Sequence, residues 1–232
     1  MIGPNKRDSL SVGASALIIF LCLIFLIRRA LVFAQADETS RAWNKPLTPF
    51  RIIGNLYYVG ATEVSSFLIT TPQGHFLIDG GFVETAPQIE RNITTLGFKV
   101  TDIKFLLISH AHYDHVGGLA ELKQKTAAKI VATAPDIDLL ERGGHGDFYF
   151  GDQLMFPPLH VDQVIGDGGK IELDGQRLVA HLTPGHTKGN TTWTAKISDG
   201  KKNLRRSHCP SNDNLELPVC RQGKLSRNSG RL

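Results

Sequence analysis

Apolar residues between positions 50 and 197 follow two spacings, one typical of strands and the other typical of helices. The continuous apolar run at 103–109, IKFLLIS, predicts a strand that is covered on both faces. Ile89 and Ile93 recur at helical spacing and predict a helix over 85–96. The sequence therefore predicts a globular body that mixes strands and helices.

The same patterns place further elements along the body. Pro72, Gln73 and Gly74 separate two β-rich runs and predict a hairpin. Two more helices are predicted at 117–128 and 136–142. The remaining runs with strand character are 129–132, 161–165, 170–173, 176–182 and 191–197.

The loop after the 103–109 strand contains a concentration of metal-binding side chains. Residues 110–115 read H-x-H-x-D-H, and they lie between a predicted strand and a predicted helix, where open α/β sheets commonly carry their sites. Imidazole and carboxylate groups suit zinc. Because the H-x-H-x-D-H motif contains no cysteine, it favours a hydrolytic site with an open coordination position over a closed structural site.

The spacing within this loop divides the ligands between two ions. His110 and His112 lie on the same side of an extended segment and can converge on one ion, while Asp114 and His115 turn towards a second. Six consecutive residues cannot surround an ion, so a remote ligand is needed, and His186 in TPGH is the candidate. The alternative is a histidine-rich surface loop that holds no metal.

Other polar and aromatic residues of the body receive structural or supporting interpretations. Asp79, at a strand end in LIDGG, is predicted to orient a metal-ligating histidine, with a simple turn carboxylate as the alternative. Residues 148–150 form either an apolar wall beside the site or packing beneath a loop. The remaining histidines of the body are interpreted as structural: His75, His145, His160 and His181.

The N-terminus has the pattern of an export signal. Two basic residues precede the apolar stretch 12–27, and a small-x-small cleavage site ends at Ala36. We expect residues 1–36 to be a signal peptide and the mature protein to be periplasmic or secreted. An uncleaved membrane anchor is the alternative, because two arginines follow the apolar stretch.

The formal net charge of +4 suggests a nucleic-acid or membrane-surface partner only until the charge is divided by region. Residues 37–200 carry 14 Lys and Arg against 19 Asp and Glu, whereas residues 201–232 carry 8 against 2. The body is therefore acidic, and the basic tail lacks the interleaved aromatics that stack on bases. We expect no nucleic-acid partner, and no membrane association after signal cleavage.

The composition changes abruptly after Gly200. Residues 201–232 contain no aromatic residue and little periodicity, so they are predicted to be an aberrant, disordered tail that follows a domain at 37–200. A shift of reading frame would produce such a change, and a genuine divergent terminus is the alternative. Cys209 and Cys220 lie in this tail, which leaves the body without a thiol ligand.

Three stretches of the body resemble a known family. PFRIIGNLYYVG, HAHYDHVGGLAELK and TPGHTKGNTTW are similar to subclass B3 of the metallo-β-lactamase superfamily, and the resemblance extends over residues 43–200. It implies an α+β fold, the four-layer αββα sandwich, here with an incomplete C-terminal half. It also implies a dinuclear zinc (Zn²⁺) site at one edge of the sandwich.

The resemblance also implies roles for the ligands. His110, His112 and His186 match the family's ligands for the first zinc, and Asp114 and His115 match two ligands for the second. In that family a metal-bridging hydroxide hydrolyses the β-lactam amide bond, which confers antibiotic resistance. Asp114 orients this hydroxide and is the expected catalytic residue.

The chain departs from the family after Gly200. B3 enzymes continue with a serine-bearing loop and a late histidine that completes the second zinc site, and neither is recognisable here. His208 stands in the wrong context to replace that ligand. We therefore expect two zinc ions with an incomplete second site, a small-molecule β-lactam substrate and impaired activity. The alternatives are another hydrolase of this fold, a lactonase or thioesterase, or an inactive zinc-binding truncated product.

Overall fold

The computed structural model describes residues 17, 19–23, 38 and 40–197, and the backbone of residues 215–218. The chain divides into two compact units, Met1–Trp43 and Asn44–Leu232. Most of the predicted signal peptide lies outside the described residues, so it stays a prediction. Within the described ranges, no helix combines the length and the apolar character needed to cross a bilayer.

Seven strands of the second unit form one mixed sheet, arranged in chain order. They are β1 (Phe50–Ile53), β2 (Leu56–Tyr58), β3 (Phe67–Thr71), β4 (Gly74–Ile78), β5 (Ile103–Leu107), β6 (Lys129–Thr133) and β7 (Gln163–Ile165). The first four strands pair antiparallel, which confirms the hairpin predicted around Gln73. From β4 to β7 the pairing is parallel, so these strands need crossover connections.

Helices form these crossovers. They are α1 (Ala86–Thr95), α2 (Tyr113–Val116), α3 (Leu119–Thr126) and α4 (Ala134–Glu141), with short 3₁₀ turns at Val83–Thr85 and Val100–Asp102. All three predicted helices are present. The helix that Gly117 and Gly118 were predicted to lead into is α3, and both glycines pack closely against the backbone near Gly80 and Phe82.

A second sheet contains four antiparallel strands. They are β8 (Lys170–Leu173), β9 (Gln176–Leu182), β10 (Thr191–Ile197) and β11 (Leu215–Pro218), in the order β11-β10-β9-β8. The predicted strands at 170–173, 176–182 and 191–197 are confirmed at these bounds.

Strand β11 belongs to the segment 201–232, which the composition predicts to be disordered. Its four residues instead form an edge strand that pairs with Thr194–Ile197 of β10. The composition gives no indication of this strand, because pairing is supplied by the neighbouring strand. The rest of the segment, with His208 and both tail cysteines, lies outside the described residues. That this segment is disordered and that it is an aberrant tail therefore stay predictions.

Two apolar layers hold the sheets and helices together. One lies between the helices and the first sheet and contains Ile89 of α1, Leu106 of β5 and Leu122 of α3. The other lies between the two sheets and contains Leu107 of β5 and Trp193 of β10. Leu106 and Leu107 point into opposite layers, which confirms that β5 is covered on both faces. The resulting order of helix, sheet and sheet agrees with the expected αββα sandwich, whose fourth layer the described residues do not supply.

Trp193 connects the second sheet to the loop that follows β5. Its side chain is fully buried, and its indole Nε1–H donates a hydrogen bond of 3.0 Å to the carbonyl oxygen of Ile108. Ile108 lies two residues before His110, the first histidine of the cluster. The Trp193 side chain therefore both fills the inter-sheet layer and fixes the start of the loop that carries the cluster.

We expect Trp193→Phe to lower the free energy of unfolding by about 2–4 kcal/mol, because it leaves a cavity and an unpaired buried carbonyl. Urea unfolding followed by far-ultraviolet circular dichroism measures the change. Val164→Ala, at an apolar position that is 56% exposed, is the control and should change stability by less than about 0.5 kcal/mol. Equal unfolding midpoints for the two variants would contradict the role given to Trp193.

Candidate metal centre

The candidate ligands lie at the carboxyl end of β5. The chain leaves β5 after Leu107 and continues into the ligand loop, residues 109–115, whose last three residues begin α2. His110 and His112 are buried, at 1% and 4% exposure. The parallel strands of the first sheet end at this edge, so the loop lies where side chains from several segments can meet.

The structure brings the remote ligand His186 to this loop. Nitrogen atoms of His110, His112 and His186 lie within 4.8 Å of one another, and His112 Nδ1 is 2.9 Å from His186 Nε2. The three imidazole rings pack edge to face, with centroids 4.6–4.9 Å apart. Residues that are 74 positions apart in sequence thus form one compact group, as expected for ligands of a first metal ion.

A second group overlaps the first. Ligand atoms of His110, Asp114 and His115 also lie within 4.8 Å of one another, and His115 Nε2 is 3.5 Å from Asp114 Oδ2. All five predicted ligands are therefore in one place, with His110 common to both groups. Within the described part of the chain, no further histidine, cysteine or carboxylate joins the second group.

Asp79 supports the second group from beneath. Its Oδ2 atom is 2.9 Å from His115 Nδ1, and its carboxylate accepts hydrogen bonds from the backbone N–H and the hydroxyl of Ser109, at 2.8 and 2.7 Å. Asp79 is fully buried and has a φ of 61°, a left-handed conformation that costs energy for a residue with a Cβ. These contacts are those expected of a carboxylate that orients a ligand histidine.

Burial sets the protonation of the histidines. Burial lowers the pKa of His110 well below its ordinary value, and repulsion from His115, His112 and His186 lowers it further. Burial, together with His186, also lowers the pKa of His112, despite nearby carboxylates. Burial opposes the charged form of His115 too, but the charge and hydrogen bond of Asp79 raise its pKa. His110 and His112 are therefore neutral near pH 7, the state in which imidazole binds metal.

Asp136 holds the two ligand-bearing loops together, and the sequence analysis missed it. Its Oδ2 atom accepts hydrogen bonds from the backbone N–H of Ala111, at 3.1 Å, and from the hydroxyl of Thr187, at 2.7 Å. Its Oδ1 atom accepts one of 2.7 Å from the N–H of Gly189. Asp136 is 3% exposed, so these bonds form away from water. No local motif marks it, because its partners lie 25 to 53 residues away.

Gly189 allows this close approach. A Cβ atom at that position would lie 2.6 Å from the Asp136 carboxyl carbon, a distance that no side chain tolerates. Gly189, the second glycine of TPGHTKG, is thus required because a buried carboxylate packs directly on the backbone after His186.

The other residues singled out by sequence lie outside the two groups. His75 packs edge to face on Phe98, and His181 Nε2 is 2.9 Å from the hydroxyl of Thr194. His145 and His160 are exposed, at 62% and 77% of their side chains. The structural interpretation of all four agrees with these positions.

Phe150 of the aromatic turn 148–150 agrees with the interpretation of an apolar wall beside the site, and the exposure of its two neighbours argues against packing beneath a loop. The ring of Phe150 packs edge to face on His112, with centroids 5.1 Å apart, whereas Phe148 and Tyr149 are largely exposed. One aromatic residue therefore borders the cluster, and two face solvent beside it.

The residues present fit a zinc ion. Zinc–nitrogen bonds of about 2.0–2.1 Å place neighbouring tetrahedral ligands about 3.3 Å apart, close to the 2.9 Å between His112 Nδ1 and His186 Nε2. Neutral imidazoles and one carboxylate are zinc donors. The cluster also gathers buried polar side chains that apolar packing alone does not explain.

Comparison with known proteins identifies the class. The sequence profile of the metallo-beta-lactamase superfamily matches residues 59–199. The chain therefore belongs to the metallo-beta-lactamase superfamily of metal-dependent hydrolases. Within that superfamily it resembles the subclass B3 enzymes, as the three sequence stretches predict.

Three solved structures illustrate the resemblance to metallo-beta-lactamases. The structure from Cronobacter sakazakii is 47% identical, with a TM-score of 0.68, and the match covers 70% of this chain and 63% of that chain. That of Legionella gormanii is 46% identical, with a TM-score of 0.67 and coverage of 68% and 62%. The subclass B3 enzyme of Bradyrhizobium japonicum is 42% identical, with a TM-score of 0.66 and coverage of 70% and 61%.

Curated sequences add a second kind of relative. A hydroxyacylglutathione hydrolase of Pseudomonas syringae is 34% identical over 96 residues, which are 41% of this chain and 28% of that protein. The chain thus spans less than two thirds of the length of the solved structures and about a quarter of this curated relative.

We expect Asp136→Asn to lower the free energy of unfolding of the zinc-free protein by about 1–3 kcal/mol, because an amide N–H₂ then faces a buried donor. Urea unfolding measures the change. Asp138→Asn is the matched control on the same helix, since its side chain is 82% exposed and pairs with Arg142 at the surface. Equal stability of both variants would show that Asp136 does not hold the two loops.

Proposed function

We propose that this chain catalyses zinc-dependent hydrolysis of the β-lactam amide bond. The observation that carries the proposal is the pair of overlapping ligand groups around His110 at the carboxyl edge of the first sheet. The solved metallo-beta-lactamases that are 42–47% identical support the substrate class. Action in the periplasm or outside the cell is part of the proposal and depends on the predicted export signal.

Each ligand has an assigned part in this proposal. His110, His112 and His186 hold the first ion, and Asp114 and His115 contribute to the second. Bound zinc supplies a water that is acidic near neutral pH and a Lewis acid for the carbonyl oxygen. Asp114 is the single carboxylate in the two groups, so we assign it the catalytic role of orienting the attacking water. Asp79 and Ser109 keep His115 in place.

The surroundings suit a small cyclic substrate that presents an apolar substituent. Phe150 borders His112, and Tyr149 packs on Phe150 with ring centroids 4.8 Å apart. The exposed aromatic side chains offer an apolar surface beside the polar centre, and such surfaces bind small molecules while a few polar groups orient them.

Thioester hydrolysis is the second candidate function. It is favoured by the similarity to the hydroxyacylglutathione hydrolase of Pseudomonas syringae. The two ligand groups serve either reaction, because both require an activated water and a polarised carbonyl. The identity to β-lactamases extends over more of the chain, so we place β-lactam hydrolysis first.

The substrate class is tested with zinc-loaded protein on a chromogenic cephalosporin, a carbapenem and a hydroxyacyl thioester of glutathione. We expect turnover of the β-lactams that a chelator reduces to background. Turnover of the thioester alone would replace the first function by the second. Bound zinc without any turnover would identify the chain as an inactive zinc-binding product.

The ligand assignment is tested by His186→Ala. We expect the affinity for the first zinc to fall by more than the roughly 10- to 100-fold typical of losing an outer partner, because a direct ligand is lost. Zinc per chain is measured by elemental analysis after dialysis against a competing chelator. His160→Ala, at an exposed histidine, is the control. An unchanged zinc content in His186→Ala would contradict the assignment.

A further inference from the structure

Asp147 lies beside the Nε2 atom of His112, whereas the Nδ1 atom of the same ring faces His186. It is 7% exposed, and its Oδ2 atom is 3.5 Å from His112 Nε2. Among the described residues, neither atom has a hydrogen-bond partner. A buried donor and a buried acceptor that face each other without other partners indicate an interaction between the two.

The two oxygen atoms of Asp147 have different surroundings. Oδ1 accepts hydrogen bonds from the backbone N–H groups of Tyr149 and Phe150, at 2.7 and 2.8 Å. Oδ2 faces His112 and takes no part in those bonds. One oxygen therefore fixes the aromatic turn, while the other is left for the imidazole.

The orientation of His112 determines where its proton belongs. Its Nδ1 atom faces His186 Nε2 at 2.9 Å, so Nδ1 is the nitrogen that is turned towards the ligand group. A neutral imidazole that offers its lone pair at Nδ1 carries its proton at Nε2. That proton needs an acceptor, and Asp147 Oδ2 is the nearby atom without another partner.

We propose that Asp147 is a positioning residue that accepts a hydrogen bond from Nε2–H of His112. The bond would fix the tautomer that leaves Nδ1 free for a metal ion and would hold the ring in its observed orientation. This inference rests on the proposed first metal site but is independent of the substrate.

The same carboxylate connects the metal centre to the aromatic turn. Asp147 accepts a hydrogen bond from the backbone N–H of Phe150, and the Phe150 ring in turn packs on His112. His112 is therefore fixed on one side by a carboxylate and on another by an aromatic ring, both from one short turn.

Asp147→Asn separates the positioning role from a role limited to the turn. The asparagine side-chain oxygen keeps the acceptor for Tyr149 and Phe150, but the amide N–H₂ then faces Nε2–H of His112. If Asp147 only holds the turn, the variant should bind zinc as the wild type does. If Asp147 positions His112, we expect zinc affinity at the first site to fall roughly 10- to 100-fold. Asp138→Asn is the matched control and should leave the affinity unchanged.

Affinity is measured by competition with a chromophoric zinc chelator on the full chain. Nitrogen-15 NMR of histidine-labelled wild type gives a second readout that needs no variant. We expect the zinc-loaded protein to carry the His112 proton at Nε2, and protonation at Nδ1 would overturn the inference. If wild type and Asp138→Asn bind zinc and Asp147→Asn binds equally well, the inference alone fails. If wild type binds no zinc, the proposed function fails and the inference fails with it.

Discussion

Buried carboxylates accept hydrogen bonds from both loops that carry the candidate ligands. Asp136 accepts hydrogen bonds from the backbone N–H of Ala111 in one of these loops and from that of Gly189 in the other. Asp79 accepts a hydrogen bond from the backbone N–H of Ser109. Irregular backbone that is buried without such partners costs about 1–3 kcal/mol for each unpaired group. These carboxylates therefore allow two loops to converge where the strands end.

Local patterns were sufficient to predict most of the body. The strand at 103–109 and the helix at 85–96 are specified by the spacing of their own apolar residues, so short windows of sequence contain the information. The candidate ligands were recognisable for a similar reason, because all five lie in two short motifs. The fold class followed from the resemblance that those motifs carry, and the solved relatives agree with it.

Interactions between distant segments were not predictable. Asp136 and Asp147 are single aspartates whose importance arises from partners that the fold brings to them. The partners of Asp136 lie 25 to 53 residues away, and His112 lies 35 residues from Asp147. Strand β11 was missed because an edge strand takes its hydrogen bonds from the strand beside it, whatever its own composition. In each case the deciding information lies in the tertiary arrangement rather than in local propensity.

The fold itself buries two of the five candidate ligands, His110 and His112, whereas His186 is exposed. Ala111, in the ligand loop, and Val116, at the end of α2, are buried in the layer between helices and sheet, so apolar packing anchors the histidines next to them. His110 and His112 are held neutral by burial, and neutral imidazoles already offer the lone pairs that an ion needs. Because these two side chains are already packed in the fold, binding of an ion would cost them little conformational entropy. The surrounding fold therefore contributes to the affinity of the site beside the ligands themselves.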